Sequence, residues 1–149
     1  MIQIQQELFR DSMPEIEVLS VLHYDELTLN KEYVKLNPNW NKYLQLEDDN
    51  KLCLFTIRSD NILVGYSIFF VDTHIHYKDL VVATNDVLFL REDLRLGITG
   101  IKLIKFSESV LKTLGVNKIT WHVKFAKDFR PILHRMGYAD EDVIVGKIL

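Results

Sequence analysis

Cysteine is almost missing from this chain: Cys53 is the only one in 149 residues. No internal disulfide can form, and no thiolate cage for a metal is available. A reducing, cytoplasmic setting is the expectation. Three prolines and six glycines are too few for collagen-like or low-complexity architecture. Long hydrophobic runs are absent as well. The longest, Ile62 to Val71, is broken by Gly65 and Ser67 and falls far short of a membrane span, so no membrane partner is expected. The first ten residues are rich in glutamine, without a basic start or an apolar stretch, which argues against secretion. Positive charge is not in excess either: 18 Lys and Arg against 21 Asp and Glu give a net charge of −3, which excludes a dedicated nucleic-acid binder. What remains is ordinary and sufficient. With 48% apolar and 26% charged residues, the chain can bury a core, and it is read as one domain over residues 1–149.

Periodicity divides the chain into elements. Ser12 and Glu15 have the spacing of a capping box, and Ile16, Leu19 and Leu22 recur at helical spacing, which predicts a helix over 13–24. Asn37-Pro38 marks the start of a shorter helix that carries Trp40, Tyr43, Leu44 and Glu47 on one face. Cys53, Phe55 and Ile57 alternate along a strand over 51–58, and Ser59-Asp60-Asn61 is hairpin chemistry leading into a nearly continuous apolar strand over 62–72. A third strand follows over 80–90. The order then becomes strand, helix, strand, helix, strand. Leu103, Ile104, Ser107, Val110, Leu111 and Leu114 form the buried stripe of a helix that Gly115 ends. A strand over 118–124, a short helix capped by Asp128 and closed by Gly137, and a last strand over 143–149 complete the reading. The fold class is α/β: a mixed sheet with helices on both faces.

Chemistry concentrates between Asn85 and Lys105. There a strand gives way to the turn Arg95-Leu96-Gly97-Ile98-Thr99-Gly100, which opens an amphipathic helix. Such a turn aims unpaired backbone N–H groups and the positive helix end at one spot, a natural seat for phosphate oxygens. The spacing matches neither the Walker sequence nor the three-glycine dinucleotide fingerprint. A generic phosphate or nucleotide site therefore stays open on the residues alone.

The whole run resembles the GNAT superfamily of N-acetyltransferases. In that superfamily a strand, an Arg/Gln-x-x-Gly-x-Gly/Ala turn and a helix hold acetyl-CoA. Arg95 and Gly100 fit the turn, with Ile98 where its first glycine belongs and Gly97 one residue earlier. Leu63-Val64-Gly65-Tyr66 is similar to the superfamily's third strand and Asp86 to Leu90 to its fourth, while Leu114-Gly115-Val116 and Met136-Gly137-Tyr138 match later turns. His76-Tyr77, Asn85-Asp86, His122-Val123-Lys124 and Asp128-Phe129 resemble the small acetyltransferases of bacteriophages.

The resemblance implies an N-acetyltransferase that moves acetyl from acetyl-CoA to a primary amine by direct attack. The acceptor amine would be a protein lysine, a protein N-terminus or a small molecule. Arg95, Leu96, Gly97, Ile98, Thr99 and Gly100 would hold the diphosphate, and the main chain of Leu88 and Leu90 the pantetheine arm. Asp86 is the candidate general base. Alternation along a strand puts Asp86, Leu88 and Leu90 on one face. His122 is the second candidate catalytic residue, lining the acceptor channel. Trp40 and Tyr43 are read as core, or as a wall of the acceptor site. Acidic residues near the N-terminal helices, among them Glu26 and Asp48, would draw in a cationic amine.

Three positions depart from the superfamily pattern: Leu133 stands in place of the usual tyrosine acid, Ala126 in place of an asparagine and Phe129 in place of a small residue. They support a rival reading, a non-catalytic interaction module with this fold. The short tail leaves the usual final hairpin abbreviated or completed by another subunit in a homodimer. His74 and His76 lack a third ligand at recognisable spacing, so no metal is assigned. Cys53 has no base beside it in sequence and is read as buried.

Overall fold

A computed structural model describes residues 1–149. Its elements are β1 (Ile2–Glu7), α1 (Phe9–Leu27), α2 (Trp40–Asp48), β2 (Leu52–Ser59), β3 (Ile62–Thr73), β4 (Val81–Leu90), α3 (Thr99–Thr113), β5 (Lys118–Thr120) and α4 (Arg130–Arg135). The five strands form one sheet in sequence order. The first four are antiparallel, and β5 joins β4 in parallel after the α3 crossover. The predicted mixed sheet with helices on both faces is the observed architecture.

The apolar residues of β2 and β3 divide between two cores. On one face Leu52, Leu54, Leu63, Tyr66, Ile68 and Phe89 pack under α1 and α2 through Phe9, Ile16 and Leu19. On the other face Cys53, Phe55, Ile57, Val64, Phe69 and Ala83 pack under α3 through Leu103 and Leu111. Each fully buried leucine stabilises the fold by about 2 kcal/mol relative to exposure. Coverage of both faces explains why β3 is sealed from Leu63 to Phe69. The β2–β3 hairpin turns at Asp60 and Asn61, both with positive φ (49° and 68°), which is tolerated best by such short polar residues.

Several boundaries differ from the sequence expectation. The glutamine-rich start is a strand: β1 pairs with β2 from Ile2↔Ser59 to Glu7↔Leu54. The first helix begins at Phe9 rather than residue 13, and Ser12 does not cap it. The reason is tertiary. Glu47 of α2 accepts the Phe9 and Arg10 amides, while the Ser12 hydroxyl, fully buried, bonds Glu7. Glu15, the other half of the expected box, instead pairs with Arg58 on β2. The second helix is capped by Asn39, not Asn37, through an N–H···O bond from Lys42 of 3.1 Å. The strand expected over 118–124 pairs only to Thr120. The strand expected over 143–149 does not form, and those residues carry no secondary structure. Val143, Ile144 and Val145 alternate poorly and pair with no strand; all three are exposed. No helix is long and apolar enough to cross a membrane.

Candidate functional site

The site is made by a sheet that stops pairing. β5 matches β4 at three positions only, Val82↔Lys118, Ala83↔Ile119 and Thr84↔Thr120. From Asn85 to Leu90, β4 runs on with β3 on one side and no strand on the other. Antiparallel ladders alternate the direction of their main-chain groups. Arg91 donates its N–H to Val64 O at 2.9 Å, toward β3. Leu88 therefore presents its N–H and C=O to the open edge and Leu90 its N–H, the Leu90 carbonyl being taken by Arg95. These are groups able to bind an amide-bearing chain laid along β4.

At the end of that edge lies the predicted turn. Gly97 takes φ +109°, which returns the chain toward α3. Gly100 sits in the first turn of α3, where an added Cβ would lie 3.8 Å from the Leu90 side chain, so the helix start abuts the open edge. The amides of Leu96, Gly97, Ile98, Thr99, Gly100 and Ile101 donate to no acceptor in the protein; the first amide of the helix to do so is Lys102, to Ile98 O. Consecutive free donors at the positive end of a helix dipole fit the oxygens of an anion. Arg95 acts differently from the sequence expectation. Its guanidinium donates to Leu90 O (2.7 Å) and to both oxygens of Glu26 on α1 (2.8 and 2.7 Å), and it lies over the Phe89 ring. Its side chain ties α1 to the turn, which leaves anion binding there to the backbone. Leu96 and Ile98 are exposed, so they contribute amides and not packing.

The expected common face of Asp86, Leu88 and Leu90 is not what forms. A bulge lies between Ile68↔Val87 and Phe69↔Asn85, with Asp86 the unpaired extra residue. One additional residue shifts the period-two alternation by one. Asp86 consequently turns to the α2 side with Phe89, whereas Leu88 and Leu90 face the α3 core. The buried Asn85 carboxamide holds the bulge, donating to Ile68 O (3.3 Å) and Val87 O (2.9 Å). A buried asparagine within an apolar strand was the sequence signal for this feature.

Tyr43 of α2 donates its hydroxyl to Asp86 Oδ2 at 2.6 Å, while its ring stacks on Phe9 at 5.0 Å. Tyr43 is thus both core and site wall. Desolvation pushes the Asp86 pKa up, opposed in part by the Tyr43 hydrogen bond and by the nearby His122. Asp86 nonetheless keeps an open side toward solvent. The Tyr43 hydroxyl is driven upward by burial first and by Asp86 second. His122 lies just past β5, exposed, across the gap from β4. Asp86 and His122 are near enough for their charges to interact, and the free turn lies at the far end of the same β4 edge.

Other candidates resolve into structural roles. Cys53 is buried, which raises its thiol pKa. His76 donates its amide to His74 Nδ1 on the β3–β4 loop, so that ring nitrogen is occupied. Asp48 and Glu26 are neutralised by Arg10 and Arg95 and do not act as free attractants. Leu133 is buried, 4% exposed, on the inner side of α4. Asp128 accepts the Arg130 amide at 3.0 Å and so supports the start of α4, with Phe129 in the cap position.

No protein-family model matches the chain, and no curated protein matches its sequence. Solved structures do match its fold. A ribosomal-protein-alanine N-acetyltransferase from Brucella melitensis biovar Abortus 2308 superposes with TM-score 0.71 at 18% identity, covering 100% of this chain and 99% of that one. A predicted acetyltransferase from Clostridium acetobutylicum, solved with acetyl-CoA, gives TM-score 0.75 at 12% identity, covering 99% and 96%. A transcriptional regulator from Bacillus halodurans C-125 gives TM-score 0.78 at 14% identity over 100% of both chains. The chain has the GNAT, or acyl-CoA N-acyltransferase, fold.

Proposed function

We propose that this protein is an N-acetyltransferase that moves acetyl from acetyl-CoA to a primary amine within a ternary complex. The observation that carries the reading is the row of unpartnered amides from Leu96 to Ile101 beside the open edge of β4. Acetyl-CoA is anionic at its diphosphate and bears amides along its pantetheine arm, so it fits both features. The Leu96–Ile101 backbone would hold the diphosphate, and Leu88 and Leu90 would bond the arm. When bound, acetyl-CoA supplies the acetyl group as an activated thioester. Asp86 would take the proton that the amine must lose before attack. His122, across the cleft, would line the acceptor's approach. The same reading places the protein in the cytoplasm and keeps its likeness to phage-encoded acetyltransferases. It also leaves the open side of β5 to a second copy of the chain.

Acetyl-CoA is expected to raise the thermal midpoint, because a ligand of the native state adds stability as RT ln(1 + [L]/Kd), about 2.7 kcal/mol at about 100 times Kd. Gly100→Trp, which crowds the turn against Leu90, should abolish that rise while the free protein still melts cooperatively. Protection by ATP that exceeds protection by acetyl-CoA would move the assignment to a generic nucleotide site.

A second reading rests on Leu133. The inner position of α4 holds a buried aliphatic side chain and no hydroxyl to protonate a leaving thiolate. A non-catalytic module that binds the coenzyme and engages a partner fits that feature. The two readings part on thiol release: only the transferase frees CoA in proportion to added amine across a panel of peptides, polyamines and aminoglycosides.

A further inference from the structure

Charge is spread unevenly along this chain. Its net value is −3, yet between Arg95 and Gly137 nine Lys and Arg stand against two acids, Glu108 and Asp128. Three acids in a row, Asp140, Glu141 and Asp142, follow at once, and after them the apolar residues Val143, Ile144 and Val145. A basic stretch is joined to a segment of opposite sign.

The fold gives the basic stretch a shape. α3 and α4 enclose a groove of about 550 Å3, with Ile101, Ile132 and Met136 as its apolar lining and Lys105, Lys112 and Arg135 around them. Through Glu108, Lys112 and Met136 it runs on into a hollow of about 330 Å3 that reaches the start of β5 at Lys118 and Ile119. The ion pairs on this side of the molecule join Lys118 to Glu141 and Arg130 to Asp128 and Asp140; Lys105, Lys112 and Arg135 take part in none. By contrast, Arg10, Arg58 and Arg95 each hold a carboxylate.

The acidic and apolar segment does not fill the groove of its own copy. Val143, Ile144 and Val145 are 80%, 75% and 90% exposed. Asp140 is held by Arg130 and His134, one turn apart on α4, whereas Ile132 and Met136 line the groove from the other side of that helix. The chain therefore leaves α4 on the side away from the groove. Every copy thus carries both an exposed run of β-branched residues and an uncovered groove of opposite charge.

We propose that residues 141–149 of a second copy lie in the α3–α4 groove, with Glu141 and Asp142 against its Lys and Arg and the apolar residues on its lining, and that the exchange is reciprocal. Extended, residues 143–149 reach about 20 Å, and α3 from Ile101 to Lys112 runs about 17 Å, so segment and groove match in length. The Lys118–Glu141 pair is exposed on both sides, a tie weak enough to exchange. An unrelated acidic partner would cover the groove and leave the apolar segment in water. A second copy covers both, pairs opposite charges and closes under two-fold symmetry. The inference is independent of the transferase reading.

Light scattering after gel filtration tests it. The wild type is expected at twice the single-chain mass, and Lys105→Glu/Lys112→Glu and Glu141→Lys/Asp142→Lys each at the single-chain mass. An equal mixture of the two variants should return to the doubled mass, because the acidic groove of one accepts the basic segment of the other while the unaltered groove and segment still fit. That recovery also shows that both variants fold. A monomeric wild type overturns the proposal, as does a doubled mass in each variant alone or a mixture that stays monomeric. Binding of a single-stranded oligonucleotide to a monomeric wild type, lost in Lys105→Glu/Lys112→Glu, overturns it in favour of a polyanion. None of these outcomes depends on whether acetyl-CoA protects the fold, so the transferase reading stands or falls separately.

Discussion

The two ends of the sheet are built on opposite plans. Around β1 and β2 the register runs without a break from Ile2↔Ser59 to Glu7↔Leu54, and an ionic cluster of Arg58 with Glu7 and Glu15 locks the strands to α1. Around β4 and β5 the ladder stops after three pairs, a bulge intervenes, and helix-start amides are left without partners. The first region pairs its shielded charges internally. The second keeps them available, which is the condition for binding something from outside. Closed and open pairing are thereby divided between the two ends of one sheet.

Arg58→Met gives the largest expected effect on that division. Arg58 and Glu7 are mostly shielded, with side-chain exposures of 15% and 14%. Removing the cation leaves two carboxylates facing each other, and we expect a loss of about 3 kcal/mol in urea unfolding. Thermal protection by acetyl-CoA should survive. If protection is lost along with stability, the two ends are not independent and the contrast breaks.

Gly65→Val comes next. An added Cβ at Gly65 would lie 2.8 Å from Leu90 Cδ1 and 2.9 Å from Phe89 O, so β4 backbone must move toward the open edge. Overpacking of this kind costs about 2 kcal/mol. Here the loss should be accompanied by weakened protection by acetyl-CoA, the reverse of Arg58→Met. Full retention of protection would show that the β4 edge tolerates displacement and does not shape the site.

The smallest effect is a pH signature of opposite sign at the two ends. The Arg58 guanidinium holds the carboxyls of Glu7 and Glu15 below their ordinary values. Their contribution is complete above the unfolded carboxylate pKa and is lost as pH falls through the folded values. Asp86 is raised, chiefly by desolvation. Its contribution is present below the unfolded value and is lost as pH rises through the folded one. Hydrogen exchange corrected for intrinsic rates should therefore show β1 and β2 amides losing protection toward about pH 3 while those flanking Asp86 gain relative to them. A uniform loss along the sheet would contradict the assignment of the two environments.

Local pattern made much of this legible. The alternation of Cys53, Phe55 and Ile57, the apolar run of β3 and the helical stripe ending at Gly115 lie where periodicity puts them. The turn over 95–100 stands at a strand-to-helix junction, as expected. Ser12 and Glu15 have the spacing of a capping box, but their partners, Glu7 and Arg58, lie outside it. The position of Arg95 in the motif implies a ligand's role, yet its guanidinium is held by Glu26, 69 residues away in sequence. Simple alternation contains no bulge, so it puts Asp86 on the wrong face.

By itself the sequence determined α1 to α4 and β2 to β5, their order, the parallel crossover and the place of the glycine turn before α3, since each follows from spacings of a few residues that backbone geometry repeats, but not β1 nor the unstructured tail over 143–149. Tertiary structure alone decided where β5 leaves β4, which way Asp86 points and that Tyr43, 43 positions away, grips its carboxyl. Those features depend on which surfaces meet once the chain closes. A hydrogen bond between a helix and a non-adjacent strand has no period, so it becomes visible only when packing has brought its two ends together.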